Sequence, residues 1–443
     1  MLTLDAILAP LRSTARAAQW QATEVRSTRH ERYLTFLRPE SEREVEATRW
    51  HLWLALPAQG GKQGEATFTL GAGDGVEVLH ERLRTALAAA EAAPNPAWTL
   101  PVAGAMDSAV QAADPAAFAD RGVAGAPEAA LDGLIRAYRD TAAATPWVRP
   151  STLELFATIE DRRLVTSGGL DLRERRTRLY VEFVLLHRPG SGDEVEFFDR
   201  GEAATAAGLD LARRVSEAAA CVRDGAAARP TPAGIMPVVI AGYYLGEMLD
   251  YYRYHADAAA QARGIAAFAI DAPVLTRRGG GEALALASDP TVPSLAAYAF
   301  DAHGYAPQRQ ELIANDRLVG VCGDGRWMQA LKRVPRGAAG TLVVPPGAQP
   351  LAGLLRAATG PGVLEVVRFS EFHPREDTGA FSGEIRLAYL HRPDGTRVPV
   401  KGGSVTGTLG EALAEARFSQ EVATAGGYHG PRAVRLEACT VTA

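Results

Sequence analysis

The chain has 443 residues, 47% of them apolar and 22% charged, with a formal net charge of −5 at pH 7. That length predicts two or three domains and a core able to form without disulfides or metals. Only 3 Cys and 9 His are present, and Cys221, Cys322 and Cys439 stand far apart with no CxxC. This argues against a disulfide framework or a zinc ribbon and favours a reducing, cytoplasmic setting.

The opening stretch MLTLDAILAPLRSTARAAQW carries Asp5 inside its apolar residues and reads as an amphipathic helix, not a signal peptide. No run of 18 apolar residues occurs, so no membrane span is expected. The arginines are interleaved with carboxylates, as in REVEATR and DLRERRTR, which is the pattern of a solvated surface and not of a nucleic-acid footprint.

In chain order, helical spacing covers Leu2 to Trp20, and strand alternation covers 22–37 and 46–56. A turn at Gly71–Gly75 leads into a helix through Leu83 and Leu87. An Ala/Pro/Gly-rich connector (93–125) precedes a helix over Pro127–Ala143, with proline in the first turn. Strands at 153–159 and 164–167 flank an expected turn at Glu160–Arg163. Two more follow at 177–186 and 195–198, then a helix over 201–223. Residues 225–234, rich in Ala, Gly and Pro, form the best domain linker. Met236–Ile240 reads as a buried strand running into a helix that reaches about Arg263. Beyond it the pattern is mostly β, with one helix at 409–418 and a final strand at 433–442. The expected fold is α+β in two domains: a mixed sheet-and-helix domain (1–224) and a mostly-β domain (235–443).

Hydrolase and metal signatures are sparse. His30-Glu31 and His80-Glu81 have no second His at helical spacing, so neither makes HExxH, and both read as surface pairs. No GxSxG occurs, Gly279–Glu282 reads as a loop, and Gly323-Asp324-Gly325 reads as a hairpin turn. Cys322 reads as a buried structural thiol. The aromatic cluster Tyr243, Tyr244, Tyr251, Tyr252 and Tyr254 fits either a packed amphipathic helix or a substrate-lining one. Tyr244, Glu247, Tyr251 and Tyr254 fall near one face.

Several short motifs in order resemble the TldD/PmbA family of peptidase-related proteins, and its TldE (PmbA) branch in particular. They are Met236–Ile240 with Leu245–Leu249, Ser288–Ser294 with Ala299–Tyr305, Leu312–Leu318, Asp377–Glu384 and Val398–Leu409, with a weaker echo at Leu164–Leu170. In that family TldD-like subunits hold zinc with the two His of HExxxH and a late Cys. The matched positions here are Gly246, Tyr251 and Ala425, and only Glu247 of the motif remains. The resemblance implies a chain that is inactive alone, with no zinc of its own. It would pair with a zinc-bearing TldD-like partner or a second copy of itself, and hold unfolded peptide for proteolysis or leader-peptide processing. Tyr244, Glu247, Tyr251 and Tyr254 would line the peptide. A stand-alone hydrolase using Glu247 and a homodimeric peptide-binding scaffold are the alternatives. His303, His373, His391 and His429 are expected on separate loops, as scattered polar residues.

Overall fold

A computed structural model of the chain describes residues 2–14, 16–105, 114, 116–190, 192–277, 279–357 and 360–443. Part of the expected connector, 106–113, lies outside the described residues.

The first half begins with α1 (Leu4–Ser13), β1 (Gln19–Thr35), β2 (Arg38–Ala55), β3 (Lys62–Gly71), α2 (Val76–Ala92) and β4 (Pro94–Pro96). It continues with α3 (Arg121–Gly125), α4 (Pro127–Ala143), β5 (Arg149–Thr166), β6 (Asp171–His187), β7 (Val195–Ala203), α5 (Ala206–Leu209) and α6 (Leu211–Ala226). The strands form one seven-stranded sheet in the order β4-β3-β2-β1-β5-β6-β7, antiparallel throughout. Alternation puts Trp20, Ala22, Leu34, Leu52, Leu54, Leu155 and Val181 on one face, which the helices cover. The other face carries Tyr33, Phe156 and Tyr180 in ring contact.

Several local expectations are corrected. The first helix stops at Ser13, and Trp20 lies in β1. No turn interrupts β5 at Glu160–Arg163, because the charges there meet partners on β6: Asp161 with Arg175, Arg162 with Glu174, and Arg163 with Asp171. The β1–β2 hairpin turns at Phe36-Leu37, both at positive φ without glycine. Phe36 sits under the Arg149 guanidinium, and the Leu37 carbonyl accepts from Arg139. The expected helix at 201–223 begins only at Ala206, with β7 running through Ala203.

The second half contains β8 (Arg229–Pro230), β9 (Gly234–Ala241), α7 (Gly242–His255), α8 (Ala258–Arg263), β10 (Leu286–Asp289), β11 (Gln310–Ala314) and β12 (Arg317–Leu318). It then adds α9 (Gly325–Ala330), β13 (Thr341–Val343), α10 (Leu351–Leu354), β14 (Val363–Pro374), β15 (Ala380–His391) and β16 (Arg397–Lys401). It ends with β17 (Ser404–Thr408), α11 (Leu409–Ala412), β18 (Arg417–Phe418), β19 (Val422–Ala425), β20 (Tyr428–Pro431) and β21 (Ala433–Val441). These strands make a six-stranded sheet, β12-β11-β10-β13-β20-β19, and an eight-stranded one, β14-β9-β21-β17-β15-β16-β8 with β18 on β21. A β14–β15 pairing closes β14, β9, β21, β17 and β15 into a barrel.

Here too the structure corrects details. Asp324 caps α9 through the Arg326 N–H instead of turning a hairpin. The late helix is one turn, Leu409–Ala412, and α7 ends at His255 before α8. The linker is not a free tether, since Arg229 and Pro230 pair with β16. No helix among the described residues is long and apolar enough to cross a membrane.

Candidate functional site

The site is built on α7, which leaves the end of β9 with the Gly242 N–H bonded to the Arg432 carbonyl at 2.7 Å. Leu245, Met248, Leu249 and Tyr252 point into the core of the second half. Gly242 and Gly246, one turn apart, let the helix close onto β20. A Cβ at Gly246 would lie 2.8 Å from the Tyr428 Cβ, and one at Gly242 would lie 2.3 Å from the Pro431 carbonyl oxygen. The Tyr428 ring therefore fills the space beside Gly246, and its hydroxyl donates to the Pro431 carbonyl. Tyr428 is the direct cross-strand partner of Ala425 on β19, so the fold gathers Gly246 and Ala425 around one buried ring.

Tyr251 lies further along the helix. Its ring meets His255 edge-on at 4.7 Å and packs against Phe268 and Gly379. Phe268 continues into a cavity of about 430 Å³ lined also by Pro273, Leu275, Thr408 and Glu411. Tyr254 is half-buried beside His255. Tyr244 is core: its ring packs edge-on against Phe369 and Phe372, and its oxygen accepts the Phe369 N–H. Tyr244 is thus separated from the other three residues placed with it on one face.

Glu247 is half-buried. Burial raises its pKa, against the opposing pull of the Tyr243 hydroxyl and the Arg200 charge. Tyr243, 43% exposed, stands next to it with its own pKa raised by burial and by Glu247. Arg200 comes from β7, in the other half of the molecule. Next to it, buried Asp199 pairs with Arg214 of α6 and Arg368 of β14. Tyr243 was signalled by its spacing of four from Glu247. Arg200 and Asp199 left no sequence signal, because the contact spans two domains.

The four histidines read as scattered stay apart. His303 lies on a loop against Asp324 and Trp98. His373, His391 and His429 lie on strands, not loops, with Glu371, Glu365 and Thr424 as partners. Cys322 is buried, its thiol pushed up to about 12 by burial, and its backbone bridges Ala256 and Ala258. His80-Glu81 is exposed as expected, but His30 and Glu31 are buried.

Residues 233–443 match the model of the PmbA/TldA metallopeptidase C-terminal domain. That segment, the second half of the chain, belongs to the TldD/PmbA family. No curated protein matches the chain. Its fold is that of TldE from Thermococcus kodakarensis, at 15% identity over 99% of this chain and 100% of that one, with a TM-score of 0.75. Two structures described as candidate modulators of DNA gyrase share the same fold. The one from Bacteroides thetaiotaomicron is 16% identical over 99% of this chain and 97% of its own, with a TM-score of 0.76. The one from Thermotoga maritima is 14% identical over 99% of each chain, with a TM-score of 0.73.

The zinc implied by the family resemblance does not fit the residues at the matched positions. Gly246 and Ala425 carry no donor, leaving one carboxylate at Glu247 and one phenol at Tyr251. A catalytic zinc is held by three protein N, S or O donors plus water. A His at 246 would also have to displace the Tyr428 ring.

Proposed function

We propose that this chain is a TldE/PmbA-like, non-catalytic subunit that pairs with a zinc-bearing TldD-like chain and holds unfolded peptide for that partner to cut. The observation that carries this reading is the ring of Tyr428 packed against Gly246, on a residue paired across the strands with Ala425, at the two positions where the family's ligands would stand. β19 supports the holding role: it has a neighbour on one side only and lies next to that ring. An extended peptide adds to such an edge through main-chain hydrogen bonds, with little demand on sequence.

The test is co-expression with a TldD-like chain, purification through a tag on this one, and cleavage assays on an unfolded peptide. The expected result is a stable complex, cleavage only with the partner present, and activity insensitive to Glu247→Gln in this chain. A second reading, a stand-alone hydrolase using Glu247 as general base, draws on that residue's raised pKa beside Tyr243. Cleavage by this chain alone, abolished by Glu247→Gln, would establish the second reading and sink the first.

A further inference from the structure

His30 lies on the helix-covered face of the N-terminal sheet, directly cross-strand from Glu44 on β2. Glu128, in the first turn of α4, hangs over it. The His30 side chain is only 10% exposed and makes no hydrogen bond among the described residues. Its one charged contact is Glu44, with Oε2 3.6 Å from Nδ1. One ligand atom from each of His30, Glu44 and Glu128 lies within 4.8 Å of the other two. Neither glutamate has an arginine partner among the described residues, and the nearby guanidinium of Arg32 turns to Glu42 instead. A buried imidazole without a hydrogen bond is unfavourable, and two carboxylates with no arginine partner lie within reach of it. A single divalent cation would satisfy the imidazole and draw in both carboxylates.

We propose that His30, Glu44 and Glu128 form a divalent-cation site of the zinc class that ties α4 to the β1–β2 hairpin. One imidazole nitrogen and two carboxylate oxygens form a mixed set that suits Zn²⁺, with water completing the shell on the solvent side. Ligand atoms on a tetrahedral zinc sit about 3.4 Å apart, given metal–ligand bonds of about 2.1 Å. The two exposed glutamates close that gap by rotamer changes. All three residues fall outside the segment matched by the family model.

The full chain, stripped with a chelator and titrated with ZnCl₂ by calorimetry, tests this. Wild type should bind one Zn²⁺ per chain saturably, and zinc should raise its Tm. Glu128→Gln changes an exposed residue with no side-chain hydrogen bond or ion pair among the described residues, so it is the decisive variant. Both it and His30→Asn should weaken binding by more than about tenfold and abolish the Tm shift. His373→Asn, at an exposed histidine on β14, should change neither. The proposal is overturned if wild type shows no saturable binding, or if Glu128→Gln binds as tightly as wild type.

Discussion

Gly242 and Gly246 are one turn apart on α7, and both face Tyr428. Adding a methyl group at 246 forces either the ring or the helix to shift, and overpacking of this kind costs about 1–3 kcal/mol. Gly246→Ala should lose stability in that range by urea denaturation. In a Tyr428→Leu background the loss should shrink, because the two side chains compete for one volume. Glu247 yields a pH prediction. Burial raises its pKa in the native state, so between the ordinary glutamate value and the raised one the folded chain keeps a proton that the unfolded chain releases. Its contribution therefore falls as pH rises through that window. Glu247→Gln should gain stability over wild type above the window and show no gain below it. Tm measured for both proteins from about pH 4 to pH 8 checks the sign, and a difference independent of pH would refute it. At this scale the close packing of α7 at Gly242 and Gly246 was legible as small residues one turn apart. Tyr428 and the glycine-free hairpin turn at Phe36-Leu37 were not. Their conformations are set by neighbours distant in sequence, such as Arg149 over Phe36.

Among the elements, the strand pair β5–β6 shows where period-based reading fails. Its run Glu160–Arg163 looks like a turn because four charged residues interrupt the apolar alternation. In the sheet these charges alternate sides, and three of them meet opposite charges across the register. The same pair holds the second half of the molecule. Glu174, 2% exposed, accepts the Ala299 N–H at 2.6 Å and pairs with Arg162 and Arg176 at 2.9 and 3.1 Å. Arg162 in turn lies over the Phe300 ring and donates to the Phe300 carbonyl. The stretch Ala299–Tyr305, one of the motifs that carried the family resemblance, thus serves as a docking loop between halves. Glu174→Ala removes the buried carboxylate that compensates the half-buried Arg162 and Arg176 and should cost about 3 kcal/mol. Hydrogen exchange should show loss of protection at 299–305 before the rest of the second half. Uniform loss across the chain would argue that Glu174 acts on the sheet alone.

Across the whole molecule, the division into an α+β half and a mostly-β half was readable from composition and periodicity. The closure of the barrel and the way the halves share a core were not, because β9 pairs with β14 and β21 across more than a hundred positions and the cluster shared by the halves joins α6 to β15. Leu387 and Tyr389 of β15 belong to the same apolar cluster as Val215, Ala218 and Val222 of α6, and the Tyr389 hydroxyl donates to Asp224 at 2.8 Å. Arg368 and Arg386 reach across to Asp199 and Glu196. With a core in common, the chain should unfold in a single calorimetric transition whose van't Hoff and calorimetric enthalpies agree. Two resolved transitions would contradict the shared core.

The helix α6 carries a consequence for how such a chain can vary. One side of it packs on β6 and β7, and its end is held by Tyr389, while Lys401 donates to the Gly225 carbonyl. A helix on the outside of a domain can drift in sequence on its wet side and swivel to accommodate a neighbour. This one is a spindle clamped at two bearings, so a change in the tilt of either sheet is transmitted to the other. Sequence change that alters the surface is therefore channelled into edges and loops such as β19 and the rim around Tyr243, and away from the angle between the halves.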